Sequence, residues 1–246
     1  AGDPSVTIPR PAPITMREAV TRCLRIIDER RGAGRYVTTM NLQHLRTLQT
    51  SPQFLQAYRG ADFVVADGWP IRWLFNCPER VAGSDLVPAL FDTGRRLRVF
   101  LLGAEYGRNK AATFSVEERW PNVIISGGCS PAPGFEHDDQ ICLELCREID
   151  ALRSDVVLVA LGAPRQEIWC QRWAPLLKAP LLVPCGSVID QLGGAGRAPA
   201  WAQRYGLEWA YRMVREPVRL APRYWQDAKF LMRMLLAEEG RRMLGE

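Results

Sequence analysis

A carboxylate placed where a buried strand ends can take a proton from an incoming hydroxyl. Asp67 is so placed: the apolar run Phe63-Val64-Val65-Ala66 leads into it, and Gly68 behind it permits close backbone approach. An Asp-Gly pair also makes an ordinary turn, and spacing alone leaves both readings open. Thr39 and Asn41 close an earlier β-prone run, where a hydroxyl and an amide could orient a sugar or a phosphate. Capping of the next helix is the alternative for Asn41. Arg80, in Glu79-Arg80-Val81-Ala82-Gly83-Ser84-Asp85, offers a guanidinium matched to two diphosphate oxygens, or else an ion pair with Glu79 or Asp85. Gly162-Ala163-Pro164-Arg165-Gln166-Glu167 sets a tight turn after a buried strand and polar side chains on the first turn of a helix. Helix N-termini favour phosphate, but a glutamate there argues for a neutral ribose or base edge. Gly186-Ser187-Val188-Ile189-Asp190 repeats the arrangement after the next strand. Gln166, Glu167 and Asp190 are therefore candidate nucleotide contacts, with helix capping as the competing role. A base, a cation for a departing diphosphate and a nucleotide pocket are what sugar transfer from a nucleotide diphosphate requires.

Short β-prone runs position these residues: Tyr36 to Met40, Phe63 to Ala66, Val99 to Leu102, Val123 to Ile125, Val156 to Ala160 and Leu181 to Val183. Helical patterns run between them, around Leu42 to Tyr58, Asp85 to Thr93, Arg108 to Trp120, Asp139 to Leu152 and Gln166 to Trp173. Near-continuous apolar strands such as Val156-Val157-Leu158-Val159 belong to a parallel sheet covered on both faces, so the expected fold is α/β and Rossmann-like. Ligands in such sheets bind beyond the strands' carboxyl ends, where Thr39, Asn41, Asp67, Gly103-Ala104, Ser126-Gly127-Gly128, Gly162 and Gly186 fall. Residues 1–14, Pro-rich, read as a tether, and Thr15 with Glu18 has capping-box spacing ahead of the first helix. Residues 15–196 form the catalytic unit. From 197 to 246 the alternation gives way to a helical appendage, with helices about Trp201 to Val214 and from about Arg223 onward, split by Pro217 and Pro222.

Composition narrows the classes. The 246 residues, 47% hydrophobic, can bury a sizeable core without staples. No stretch approaches the roughly 18 apolar residues of a membrane span, and Ala1 to Pro13 lacks an apolar signal core, so a cytoplasmic location is expected. Seven cysteines without a Cys-x-x-Cys pair, and only two histidines, point to reduced, packed thiols. His137-Asp138-Asp139 is the one cluster similar to a metal-binding Asp-x-Asp, and its place ahead of a helical pattern fits capping without a metal. Gly103-Ala104-Glu105-Tyr106-Gly107 lacks the Gly-x-Gly-x-x-Gly spacing, so no dinucleotide cofactor is expected. The net charge is +5, and residues 197–246 hold 10 Lys+Arg against 6 Asp+Glu. In the last helix Trp225, Leu231, Met232, Leu235 and Leu236 share one face. That face suits an anionic membrane surface, the chain's own domain or a second copy in a homo-oligomer. A nicotinamide-dependent oxidoreductase and a basic RNA- or membrane-binding module are the rival classes; neither accounts for Asp67 and Gln166-Glu167 together.

Taken with Arg197-Ala198-Pro199-x-Trp201, Leu207-Glu208-Trp209, Tyr211-Arg212, Glu216-Pro217 and Arg223-Tyr224, these motifs resemble the bacterial WecG/TagA/CpsF glycosyltransferases, the N-acetylmannosaminyl-type transferases, over about residues 15 to 230. The resemblance implies an inverting enzyme that moves a hexose or N-acetylhexosamine from a UDP-sugar to a polyprenyl-diphosphate-linked sugar at the inner membrane face, in cell-surface polysaccharide synthesis. It implies Asp67 as the catalytic base with Thr39 beside it, and Asn41, Arg80, Phe135, Gln166, Glu167 and Asp190 as substrate contacts. Arg212, Arg215, Arg219 and Arg223 of the appendage would lie over the active site and stabilise UDP without a metal, and no nucleic-acid partner is implied. Trp69 after Asp67-Gly68, Phe135 and Ile189 depart from the family's usual residues, which bears on donor and acceptor identity.

Overall fold

The structure, a computed structural model, describes residues 7–29, 32–194, 208–215 and 217–236, with the side chains of 208, 209, 212, 215 and 219 outside that description. Six strands, β1 (Arg35–Met40), β2 (Phe63–Ala66), β3 (Leu97–Gly103), β4 (Val123–Cys129), β5 (Val156–Ala160) and β6 (Leu181–Pro184), form one parallel sheet in the order β2-β1-β6-β5-β3-β4. The helices are α1 (Met16–Glu29), α2 (Leu42–Leu48), α3 (Pro52–Gly60), α4 (Trp69–Leu74), α5 (Gly83–Phe91), α6 (Tyr106–Arg119), α7 (Asp139–Ala151), α8 (Arg165–Trp173), α9 (Val188–Leu192), α10 (Glu208–Arg215) and α11 (Pro217–Leu236).

Alternate strand residues feed opposite faces, as the period of two demands. Val37, Val65, Val99, Leu101, Val156, Leu158, Leu181 and Val183 pack with α1, α5, α6 and α9. Tyr36, Phe100, Leu102, Val157, Val159 and Leu182 pack with α7 and α8, while Met40, Val64 and Ala66 join α2, α3 and α4. Crossovers running one way along the sheet thus lay α5 and α6 on one face, and those running the other way lay α2, α3, α7 and α8 on the opposite face, as a single crossover hand requires. The chain leaves β3 towards one face and the adjacent β5 towards the other. The carboxyl ends of these two strands part into a crevice, the place where open sheets bind ligands.

Local chemistry sets the element ends. Thr15 and Glu18 form the capping box: Glu18 accepts from the Thr15 backbone N–H at 2.8 Å, and Thr15 Oγ1 accepts from the Glu18 N–H at 3.3 Å. The expected single helix from Leu42 to Tyr58 is two, because Ser51 caps α3 by accepting from the Phe54 N–H at 3.3 Å and Pro52 follows at its first position. β4 runs on through Gly127 and Gly128 rather than ending before Ser126. Side chains there would meet Leu152 and Asn109 at 2.6 and 2.5 Å, so these glycines allow close packing inside the strand. The last helix, expected from about Arg223, already starts at Pro217 and continues through Pro222. Pro222 is exposed, so the carbonyl four residues back that loses its partner can turn to water. All seven cysteines are free thiols, six of them buried.

Candidate active site

The crevice beyond β3 and β5 opens into a cavity of about 1310 Å³. Its wall comprises the chain after β3 (Gly103 to Tyr106, then Arg108), after β4 (Ser130 to Pro133, Phe135, Glu136), after β5 (Leu161, Arg165) and after β6 (Ser187, Asp190, Gln191), closed on one side by Tyr211 of α10. Gly103 lets the chain turn at the end of β3 while still lying close against Ala160 of β5. It sits at φ 97°, and a Cβ there would lie 2.5 Å from the Ala160 carbonyl oxygen. Arg108 lies 3.6 Å from Glu105 and 3.7 Å from Asp190, and Arg165 pairs with Glu136 at 3.2 Å while donating to the Leu161 carbonyl at 2.6 Å. Burial raises the Asp190 carboxyl above its ordinary range, with Arg108 opposing the shift. These two cations are thus already engaged by three carboxylates. α10, which supplies Tyr211, carries Arg212 and Arg215; their side chains, that of Arg219, and the segment Arg197 to Leu207 lie outside the described residues.

A second cluster forms at the ends of β1 and β2. The register pairs Thr39 with Val65 and Met40 with Ala66, and the Asp67 N–H donates to the Met40 carbonyl at 2.8 Å. The Val81 N–H donates to the Ala66 carbonyl at 2.8 Å, bringing the Arg80 segment alongside. Asp67, Thr39, Asn41 and Arg80 are therefore neighbours. Arg80 also pairs with Asp85 at 2.6 Å, the alternative raised for it. Asn41 caps α2, accepting from the His44 N–H at 3.0 Å. His44, which no sequence pattern marks, holds this strand end. Burial brings its pKa down to about 4, with the Arg223 guanidinium adding to the effect, so the ring is neutral. Its Nδ1 lies 2.8 Å from the Thr39 carbonyl, to which Tyr58 also donates at 2.7 Å, and its Nε2 lies 3.3 Å from the Asn41 amide nitrogen. A ring protonated at Nδ1 satisfies the whole set.

Gln166 and Glu167 stand behind the cavity wall rather than on it. The Gln166 side-chain oxygen accepts from the backbone N–H of Gly162 at 3.2 Å and of Gly186 at 3.0 Å, tying the loop after β5 to the loop after β6. Its amide nitrogen donates to Glu167 at 2.8 Å. Glu167 is 1% exposed, and burial pushes its carboxyl up to about 7. Asp190 and Phe135 do line the cavity, whereas Thr39, Asn41, Asp67 and Arg80 do not. Of the cavity residues that sequence reasoning did not single out, Arg165 and Tyr211 lie inside quoted motifs, and Ser130 follows the true end of β4. Asp138 caps α7, accepting from the backbone N–H of Gln140 and Ile141, as its position ahead of a helix suggests. Among the described residues no group of three or more His, Cys, Asp or Glu is placed to hold a metal ion.

α11 returns to this end of the sheet. Asp227, buried, accepts from Arg46 of α2 at 3.0 Å, and Met234 enters the core formed by α2, α3 and α4. Arg223 thereby comes near His44. The description of the glycosyl transferase WecG/TagA/CpsF family matches residues 9–243. The chain belongs to that family. Its similar family members include an N-acetylglucosaminyldiphosphoundecaprenol N-acetyl-β-D-mannosaminyltransferase of Bacillus spizizenii, 29% identical over 201 residues, or 78% of this chain and 75% of the relative. Proteins of the same name from Bacillus subtilis strain 168 (26% identical over 201 residues, 78% and 75%) and Staphylococcus aureus strain MRSA252 (24% over 190 residues, 73% and 71%) are also similar. As a WecG/TagA/CpsF member the protein is a glycosyltransferase. Among the described residues no helix is long and apolar enough to cross a membrane.

Proposed function

We propose that the enzyme transfers a hexose or N-acetylhexosamine, with inversion, from a UDP-sugar to a sugar carried on a polyprenyl diphosphate, in the synthesis of a cell-surface polysaccharide. The single observation that carries this reading is the layout of one sheet edge. Strands lie about 4.8 Å apart, so Asp67 at the end of β2 is roughly 10 Å from the end of β6 and 14 Å from that of β5, where the cavity begins. A nucleotide seated in the cavity could therefore present its sugar towards Asp67. The Asp67 carboxylate takes the proton of the acceptor hydroxyl, the hydroxyl oxygen bonds to the anomeric carbon, and the bond from that carbon to the β-phosphate oxygen breaks, with its electron pair leaving on UDP. Attack and departure occur on opposite sides of the carbon, hence inversion.

Thr39 and Asn41 orient the sugars, and the network through His44 fixes the backbone that bears them. Asp190 and Phe135 contact the nucleotide; Gln166 and Glu167 hold the two loops that carry the donor wall. The charge on UDP is met by Arg80, Arg212, Arg215, Arg219 and Arg223, without a metal. α11 leaves Trp225, Met232, Leu235 and Leu236 exposed on a basic segment, which supports peripheral attachment to an anionic membrane at the cytoplasmic face, where a lipid acceptor would lie. The test is transfer of radiolabel from a panel of UDP-sugars into extractable lipid, with lipid-diphosphate sugars as acceptors and EDTA present. We expect labelled lipid with one donor and acceptor pairing. Label that disappears in EDTA would end the metal-independent scheme, and label that never enters lipid with any pairing would end the acceptor assignment.

A further inference from the structure

We propose that Trp69 is the platform on which the acceptor sugar stacks, so that this indole sets acceptor specificity; the proposal rests on Asp67 being the base. Trp69 opens α4 two residues after Asp67. Gly68 between them sits at φ 100°, a conformation side chains rarely adopt, and turns the chain so that the carboxylate and the indole share one strand end. The Arg72 guanidinium covers part of the ring, 4.9 Å from its centre. Arg72 is itself held by two hydrogen bonds to the Pro78 carbonyl, at 3.3 and 3.2 Å, so the indole stands on a fixed support. With that support in place Trp69 is still 49% exposed, which leaves ring surface open.

An open, fixed indole beside a carboxylate suits a pyranose. The C–H hydrogens on one face of the sugar carry partial positive charge, which meets the negative face of the aromatic ring, and both apolar faces leave water. Position along the sheet decides which sugar it takes. Trp69 belongs to the β2 edge, two strand spacings or about 10 Å from the end of β6 at the near side of the cavity and four, about 19 Å, from the end of β3. The nucleotide and the indole therefore flank the reacting carbon, and the acceptor sugar, not the donor sugar that is transferred, meets Trp69.

The experiment compares Trp69→Ala, Trp69→Leu and Trp69→Phe, using a short-chain, water-soluble sugar diphosphate lipid and the same sugar on a long-chain lipid in vesicles. The expected result with the soluble acceptor is an acceptor KM about tenfold higher for Ala and Leu, recovered to within about threefold by Phe, with donor KM and kcat at saturating acceptor little changed. An unchanged acceptor KM overturns the proposal. So does a loss confined to the vesicle-borne acceptor, which would make Trp69, with the exposed Trp73 one turn on, a membrane contact. Binding without turnover separates this idea from the wider reading. In protein labelled with fluorotryptophan, the Trp69 resonance, assigned through Trp69→Phe, should shift on adding the soluble acceptor. A shift in protein whose transfer is insensitive to Asp67→Asn faults the base and keeps the platform; transfer that needs Asp67 with no shift overturns the platform alone.

Discussion

Glu167 gains a carboxyl pKa of about 7 from burial, against an ordinary 4.5, with hydrogen bonds from the Gln166 amide and its own backbone N–H opposing the shift. The folded protein therefore holds a proton that the unfolded chain releases between pH 4.5 and 7. Stability falls as pH rises through that window, and the penalty is complete above 7, at most about 3 kcal/mol. Glu167→Gln keeps a carbonyl for Gln166 to donate to and removes the titration. We predict that the variant melts with the wild type near pH 4.5 and above it by several degrees at pH 8, measured by thermal unfolding across pH. A difference in Tm that does not change with pH would contradict the assignment. Why a glutamate occupies this position follows from its neighbour: it orients the Gln166 amide so that the oxygen faces the two loop N–H groups.

At the scale of elements, α11 is joined to the sheet domain by few but specific contacts. Asp227, 5% exposed, pairs with Arg46, and Leu220 and Met234 are buried. Arg46 keeps a third of its side chain in solvent, so losing its partner costs less than for a fully buried pair. Asp227→Ala should cost roughly 1–2 kcal/mol and raise the rate of proteolysis within 217–236 while the sheet remains protected. Unchanged cleavage there would mean that the ion pair does not anchor the helix. Strands such as β2 and β5 are legible in the sequence because doubly buried parallel strands read as unbroken apolar runs, and Asp67 and Gly162 are legible because they stop such runs. The break between α2 and α3 was available in Ser51-Pro52, but the apolar pattern on either side obscured it. β4 through Gly127 and Gly128 was not legible, since glycine in a strand is explained only by the Leu152 and Asn109 side chains that pack on it. His44 was invisible for a similar reason: its partners, Thr39 and Tyr58, meet it only once α3 has folded back on β1.

At the scale of the molecule, one edge of a parallel sheet carries two differentiated regions. The β3 and β5 ends part widely enough for a cavity of about 1310 Å³, and the β1 and β2 ends are held tight by backbone hydrogen bonds around Asp67. The division is a consequence of strand order, because the chain departs β3 and β5 towards opposite faces. Under the function proposed above it would separate donor binding from proton transfer, so the two functions should be separable by mutation. The most direct test is to measure kcat for Asp67→Asn beside its Kd for UDP. We predict a fall in kcat of at least a hundredfold, the usual scale for loss of a general base, with UDP affinity within about threefold of wild type. A kcat that survives the substitution, or a UDP affinity that collapses with it, would contradict the assignment of Asp67 as a base set apart from the nucleotide pocket.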